Sequence, residues 1–103
     1  MTAGLENAAT LDGYQAEARR TINRGLTVDQ RLLDASAGLA EEAGEVLSHV
    51  RKHLFQGRPL DREAVTLELG DALWCLAIAA DTLGISLQDV ARRNVDKLRA
   101  RHP

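Results

Sequence analysis

The sequence predicts an all-α protein: a four-helix bundle-like protomer with two long central helices, assembled as a homo-oligomer. Among 103 residues, alanine and leucine supply 16 each, whereas valine and isoleucine together supply nine, so helix formers far outnumber strand formers. Apolar residues recur every three or four positions over long stretches, which is the helical period. Two prolines and eight glycines leave few turns, which excludes an all-β domain of many short strands.

A first helix is predicted over about residues 11–23, after a flexible N-terminal leader of small and polar residues at positions 1–10. Gly25 is predicted to end this helix. Its apolar residues stand three or four positions apart: Leu11, Tyr14, Ala18 and Ile22. Residues 11–103 have the length of a single domain with one modest core.

The second helix is predicted over about residues 28–54. It begins with a capping-box pattern, in which Thr27 is the N-cap and Gln30 follows three residues later. The break at Gln56–Pro59 is predicted to end it. A stripe with gaps of three and four is predicted to face the core: Leu32, Ser36, Leu39, Ala43, Val46, Val50 and Leu54.

Two further helices follow, over about residues 61–83 and 86–101. Asp61 and Ser86 are the predicted N-caps, and Gly84 separates the two helices. From Ala72 to Ala80 the third helix is apolar on every side. Because a helix that is apolar all round must be covered all round, this stretch favours a partner subunit, in a homodimer or a homotetramer.

Charge and composition exclude several classes of protein. The net charge is −2, whereas a nucleic-acid-binding protein typically has a strongly basic surface. No apolar run approaches the roughly 20 residues that a membrane-spanning helix needs. The N-terminus lacks the basic and apolar regions of a signal peptide, and the single cysteine, Cys75, excludes an intrachain disulfide. We therefore expect a cytoplasmic protein without nucleic-acid or membrane partners.

Acidic residues cluster on the two central helices. The second helix carries Glu41, Glu42 and Glu45, and the third carries Glu68 and Asp71. Residues three or four apart share a face of a helix, and antiparallel packing of the two helices would bring both sets to the inner edge of the bundle. Converging carboxylates repel each other unless cations bind, and hard oxygen ligands suit Mg²⁺ or Mn²⁺. The alternative is a solvated acidic face balanced by neighbouring arginines and lysines.

These residues resemble a known family. The pattern Glu41-Glu42-x-x-Glu45, then 22 intervening residues and Glu68-x-x-Asp71, is similar to the EExxE…ExxD signature of the MazG-like all-α nucleoside triphosphate pyrophosphohydrolases. The segments GLAEEAGEVLSHVRKHL and LELGDALWCLAIAADTLGIS look like the two central helices of that family, and RNVDKLRARHP looks like its closing segment. The resemblance covers about residues 11–103.

The resemblance implies hydrolysis of a (d)NTP to the monophosphate and pyrophosphate in nucleotide-pool house-cleaning, with Mg²⁺, or Mn²⁺ as a substitute. By position it implies four metal ligands, which are Glu42, Glu45, Glu68 and Asp71. Metal ions would activate water for attack at the α-phosphorus and neutralise the leaving pyrophosphate. Glu41 or Glu45 could accept the proton of that water.

Further residues are candidates for substrate binding. Lys52, Arg101 and His49 could hold phosphates, although lysine and arginine are often ordinary surface charges and His49 could instead cap the acidic cluster. The resemblance implies that Asn94 and Lys97 contact the nucleotide. Trp74, one turn after Asp71, could stack on the base or be a core residue.

A different class of function also fits the acidic pattern. A non-catalytic helical interaction module could use the same carboxylates to bind a basic partner or a structural divalent cation. Such a module would need neither four converging acids nor Asn94 and Lys97. The two classes differ in whether pyrophosphate is released from a nucleoside triphosphate.

Overall fold

The computed structural model describes residues 9–103, which form four α-helices and no strands within that range. The helices are α1 (Leu11–Arg19), α2 (Val28–Gln56), α3 (Arg62–Thr82) and α4 (Leu87–Arg101). The all-α prediction is therefore confirmed. Residues 1–8 of the predicted leader lie outside the described residues, and Thr10 is the N-cap of α1.

The helices begin at the predicted capping residues. The Thr27 Oγ1 accepts a hydrogen bond from the Gln30 backbone N–H at 3.1 Å, and the Gln30 Oε1 accepts one from the Thr27 N–H at 3.0 Å. These two bonds satisfy backbone donors that the first turn of α2 leaves without partners. Asp61 and Ser86 cap α3 and α4 through one side-chain bond each, accepted from the Ala64 N–H and the Asp89 N–H. Gly57, whose φ of 66° favours glycine, ends α2.

The first helix is shorter than the sequence predicts. It ends at Arg19 rather than near residue 23, and Gly25 lies in the following loop. The Thr21 Oγ1 donates a hydrogen bond to the Ala18 carbonyl at 2.8 Å, and the Thr21 N–H donates to the same oxygen at 3.0 Å. The Trp74 Nε1 in turn donates to the Thr21 Oγ1 at 2.7 Å. The hydrogen bond from the Thr21 side chain thus satisfies a carbonyl of the last turn, and the helix ends before it reaches Gly25.

Helices α2 and α3 pack antiparallel along their length. Gly38 lies opposite Cys75, whereas Glu42, further along α2, lies opposite Glu68, which is earlier in α3. A Cβ at position 38 would lie only 2.9 Å from the Cys75 Sγ, so the close approach of the helices requires glycine there. The fully buried Ala35 extends this small-residue contact.

The face of α2 that contacts α3 is rotated from the predicted stripe. Ser36, Ala43 and Leu54 of the stripe are exposed, whereas Ala35 is buried and Gly38 is half-buried. The small residues lie at the contact because they let the two backbones approach closely. The remaining residues of the stripe are half-buried, namely Leu32, Leu39, Val46 and Val50.

One glutamine joins α1 to the turn between α3 and α4. Gln15 is buried, and its Nε2 donates to the Ala77 carbonyl at 3.2 Å and to the Ile85 carbonyl at 3.0 Å. Its Oε1 accepts a hydrogen bond from the Leu87 N–H at 2.9 Å. The side chain therefore satisfies the backbone where α3 ends and α4 begins, and α1 is fixed against the C-terminal end of α3.

The apolar stretch Ala72–Ala80 is covered largely within one chain. Cys75, Ala77, Ile78 and Ala80 are buried against the other helices, and Leu76 is the large residue of this stretch that stays exposed. Helices α1, α2 and α4 all reach α3, so they supply much of the cover that the sequence predicts for this stretch. The partner subunit stays a prediction.

No single helix of the described chain is long and apolar enough to cross a membrane. Helices α3 and α4 meet that criterion of length and composition only when they are counted together. The chain bends by 102° at the break between them.

The Gln15 hydrogen bonds predict a stability effect. Gln15→Ala leaves the carbonyl groups of Ala77 and Ile85 and the N–H of Leu87 without their partner, so we expect a loss of roughly 2–4 kcal/mol in the free energy of unfolding. Urea denaturation followed by circular dichroism measures it. Gln88→Ala, the same change at an exposed position, should alter stability by less than about 0.5 kcal/mol. Equal effects of the two substitutions would contradict this role of Gln15.

Candidate functional site

Three carboxyl groups converge where α2 and α3 face each other. Glu42 of α2 and Glu68 and Asp71 of α3 each offer one oxygen, and the three oxygens lie within 4.8 Å of one another. Glu42 and Glu68 are half-buried, and Asp71 is exposed. The antiparallel register produces this convergence, because it places the middle of α2 beside the first half of α3.

The electrostatics of the group show that it is short of positive charge. A hydrogen bond with the Glu68 carboxyl group, followed by desolvation and the charges of Glu68, Asp71 and Glu41, raises the pKa of Glu42 to about 7. The Glu42 Oε2 is buried and has no hydrogen-bond partner among residues 9–103. A hard divalent cation fits this arrangement, because it would coordinate the orphaned oxygen and replace the shared proton.

The other two acids of the second-helix motif lie outside this group. Glu41 and Glu45 are both exposed, and neither contributes an oxygen to the three-carboxyl cluster. Glu45 follows Glu42 by one helical turn, so it lies on the same side of α2 as the cluster. Glu41 is close enough to contribute to the raised pKa of Glu42.

A cavity with cationic side chains lies toward the turn between α2 and α3. His49 and Lys52 line it together with His53, Arg58, Pro59 and Asp61, and its volume is about 380 Å³. The His53 Nδ1 is 2.6 Å from the Arg58 carbonyl oxygen, which fixes the orientation of the imidazole ring. The predicted phosphate-binding residues His49 and Lys52 therefore lie in one cavity, with Arg58 as an additional cation that sequence reasoning missed.

A second cavity of about 240 Å³ lies on the other side of the cluster. Asp34, Gly38, Trp74 and Cys75 line it with Glu42 and Asp71. The half-buried Trp74 is anchored through its Nε1 and forms a wall of this cavity. Burial, followed by the nearby carboxylates of Glu42 and Asp34, raises the pKa of the Cys75 thiol.

The predicted residues of the last helix are not brought to the acids within one chain. Asn94, Lys97 and Arg101 are all exposed on α4. Helix α4 makes an angle of 102° with α3 and follows the end of α3 that is far from Glu68 and Asp71. Within residues 9–103, α4 contacts α1 and α3 but not α2.

Three residues that line the cavities, Asp34, His53 and Arg58, were not predicted from the sequence. A periodic signal exists for two of them. Asp34 precedes Gly38 and Glu42 at steps of four, and His53 follows His49 by four. Arg58 has no such signal, because it lies in the turn and its position depends on the tertiary packing.

Comparison with known proteins identifies the domain. The family model of the MazG nucleotide pyrophosphohydrolase domain matches residues 30–103. The chain is similar to "Gene 37 protein" of Mycobacterium phage L5, with 37% identity over 68 residues, 62% of this chain and 60% of the relative. It is also similar to "Uncharacterized protein YvdC" of Bacillus subtilis (strain 168), with 36% identity over 72 residues, 61% of this chain and 68% of the relative. The chain thus spans about three fifths of the phage protein, and no solved structure matches significantly.

The raised pKa of Glu42 predicts how the metal-free protein responds to pH. The folded state holds the Glu42 proton more tightly than the unfolded state does. The contribution of this proton to the free energy of unfolding is therefore complete below a pH of about 4.5, and it is lost as the pH rises through about 7. Urea denaturation of metal-free protein across this range should show falling stability. Glu42→Gln, which cannot ionise, should show a smaller fall.

Adding Mg²⁺ at about pH 8 should restore stability to the wild type more than to Glu42→Gln, because the cation binds ionised carboxylates. Identical pH profiles and identical responses to Mg²⁺ in the two proteins would contradict the assignment.

Proposed function

This chain belongs to the MazG nucleotide pyrophosphohydrolase family, and from that premise we propose that it is a Mg²⁺-dependent enzyme that hydrolyses a nucleoside or deoxynucleoside triphosphate to the monophosphate and pyrophosphate. The observation that carries the proposal is the convergence of three carboxyl oxygens within 4.8 Å, together with the orphaned Oε2 of Glu42. A group of this kind is costly to keep without a cation, and the substrate is an anion that needs one.

The acidic cluster supplies the proposed cation ligands. Glu42, Glu68 and Asp71 would hold Mg²⁺, or Mn²⁺ in its place, and Glu45 would join them from one turn further along α2. The Glu45 side chain is exposed and makes no hydrogen bond or ion pair with the described part of the chain, so it can reorient toward the cluster. When bound, the cation supplies Lewis-acid chemistry, which lowers the pKa of water and neutralises charge on the phosphates.

The remaining acids have the proposed role of accepting a proton. Water attacks the α-phosphorus, the bond to the bridging oxygen breaks, and pyrophosphate leaves. Glu41 or Glu45 would take the proton that the water loses, because both are exposed carboxylates beside the cluster. The proposal uses no serine, cysteine or histidine nucleophile, and the buried thiol of Cys75 has a raised pKa that keeps it protonated.

The two cavities have the proposed role of binding different parts of the substrate. His49 and Lys52 would hold the β- and γ-phosphates in the cationic cavity, and the anchored Trp74 would stack on the base. We keep Asn94, Lys97 and Arg101 as proposed substrate contacts, supplied by α4 of a second copy of the chain. The exposed positions of these three residues, and the lack of contact between α4 and α2 within residues 9–103, support this assignment.

Assembly into a homodimer or homotetramer is part of the proposal. Ile78 is the one large side chain among residues 9–103 that is fully buried, whereas Phe55 is 81% and Leu33 70% exposed. Further large apolar residues are exposed along the two long helices, namely Leu47, Leu54, Leu67, Leu69 and Leu76. Apolar surface of this extent is typical of an interface between subunits. We place the enzyme in the cytoplasm, with house-cleaning of the nucleotide pool as its role.

The proposed activity predicts the effect of removing one carboxylate. Glu42→Gln and Asp71→Asn should each lower kcat/KM for pyrophosphate release by more than about a hundredfold, since loss of a direct ligand should exceed the 10–100-fold cost of losing an outer-shell partner. Removing the metal with a chelator should abolish turnover, and Mg²⁺ should restore it.

The matched control for these variants is Glu63→Gln, which changes an exposed acid in the first turn of α3 outside the cluster. It should keep near wild-type turnover. Cation binding without pyrophosphate release from any nucleotide of a panel would contradict the proposal and favour a non-catalytic module with a structural cation.

The proposed assembly predicts a mass of two or four chains in sedimentation at micromolar concentration. Leu69 and Leu76 are two turns apart on one face of α3, so the double variant Leu69→Glu/Leu76→Glu should shift the protein toward monomer by placing charge in an apolar interface. Arg24→Glu changes the net charge by the same amount in an exposed loop and should leave the mass unchanged. A wild-type protein that is monomeric under these conditions would refute the assembly.

A further inference from the structure

We infer that the cavity lined by Asp34 and Trp74 receives the base of the nucleotide, and that Asp34 selects bases that carry an exocyclic amino group. The inference rests on the proposed function, because it takes Glu42, Glu68 and Asp71 as the place where the phosphates are held. It names a substrate class: cytosine, adenine and guanine nucleotides are preferred over uracil and thymine nucleotides.

The orientation of the nucleotide across the two cavities follows from the charges on the two sides of the cluster. The cavity toward the turn contains Lys52, Arg58 and two histidines beside one carboxylate, Asp61. The Asp61 Oδ1 already accepts a hydrogen bond from the Ala64 N–H, and the two fixed cations outnumber this one acid, so the cavity attracts phosphates. The cavity on the other side is lined by Asp34, Gly38, Glu42, Asp71, Trp74 and Cys75, with no lysine or arginine. A phosphate pointing that way would meet the Asp34 carboxylate without a cation. The uncharged end of the substrate, the base, therefore belongs there.

The shape of this cavity suits a flat ring. A volume of about 240 Å³ is below the roughly 300–1,000 Å³ of pockets that enclose whole drug-sized ligands, so it has room for one ring system rather than for a complete nucleotide. The indole of Trp74 is fixed by the 2.7 Å hydrogen bond from its Nε1 to the Thr21 Oγ1. A fixed aromatic wall offers a stacking surface at low entropic cost.

Asp34 lies at the right distance from the cluster to reach the far edge of a base. It precedes Glu42 by eight residues on the same helix, which is roughly 12 Å along the axis. Its carboxylate has no hydrogen bond or ion pair with any residue in 9–103, and it lines the cavity at the end away from the phosphates. Its oxygens are therefore available to a ligand.

The chemistry of a carboxylate decides which bases it accepts. An ionised carboxylate is an acceptor only. Cytosine and adenine carry a donating amino group at N4 and N6, and guanine carries one at N2 beside its O6 acceptor, whereas thymine and uracil carry no amino group and present a carbonyl oxygen where cytosine has its amino group. The ring donor of thymine and uracil, N3–H, is flanked by two carbonyl oxygens, so a carboxylate that approaches this edge meets an acceptor on either side, which disfavours these bases.

Fluorescence of the single tryptophan tests the inference at the cavity itself. Trp74 is the only tryptophan of the chain, so quenching of its emission reports a ligand beside it. The wild type is titrated, with Mg²⁺ present, with the monophosphates of deoxycytidine, deoxyadenosine, deoxyguanosine, deoxyuridine and thymidine. The three amino-bearing nucleotides should bind about 5- to 100-fold more tightly than the other two. Asp34→Asn, whose amide can also donate, should reduce this preference at least about fivefold.

Asp29→Asn is the matched control, because it removes the same charge from the first turn of the same helix outside the cavity. It should keep the wild-type preference. Equal affinities for all five nucleotides, no quenching by any of them, or an unchanged preference in Asp34→Asn would each overturn the inference. Loss of the preference in Asp29→Asn as well would overturn it too, because the effect would then be one of general charge.

The proposed function fails in a distinguishable way. A protein that binds amino-bearing bases beside Trp74 but releases no pyrophosphate would contradict the hydrolase proposal alone. A protein that releases pyrophosphate from all five triphosphates with equal kcat/KM would contradict the selection by Asp34 alone.

Discussion

The repulsion among three carboxyl groups is the constraint on which the site depends. Glu42, Glu68 and Asp71 lie within 4.8 Å of one another, and the fold holds them there by packing α2 against α3. In the absence of a cation, the group holds a proton up to about pH 7, as the pKa of about 7 for Glu42 indicates. A fold that concentrates negative charge in this way gives up some stability at neutral pH, and a divalent cation removes that cost.

The close approach of the two long helices explains the small side chains of the sequence. Ala35 and Gly38 let the backbone of α2 approach Cys75 of α3, so that carboxylates further along the same contact face each other. The same close approach leaves little volume for a core of large side chains. Ile78 alone among the described large residues is fully buried. Polar contacts such as those of Gln15 then contribute to stability. The proposed assembly would cover the apolar surface that the single chain leaves exposed.

Much of this arrangement could be predicted from the sequence, because the capping residues and the acidic spacing are local signals. Thr27, Asp61 and Ser86 begin their helices as predicted. Of the predicted acids, Glu42, Glu68 and Asp71 converge in the structure, whereas Glu41 and Glu45 lie outside the cluster. The end of α1 could not be predicted, since it depends on Trp74 reaching Thr21 from another helix. The rotation of α2 depends likewise on how closely Gly38 and Cys75 approach.

Paramagnetic broadening by Mn²⁺ reports whether the convergent carboxylates hold a divalent cation. In a two-dimensional NMR spectrum of the protein, substoichiometric Mn²⁺ broadens the amide signals of residues close to the ion. The first signals to disappear should belong to Glu42, Glu68, Asp71 and their immediate neighbours, and Mg²⁺ in excess should restore them. Broadening centred on another part of the chain, or spread evenly over its acidic surface, would contradict a cation site at these carboxylates.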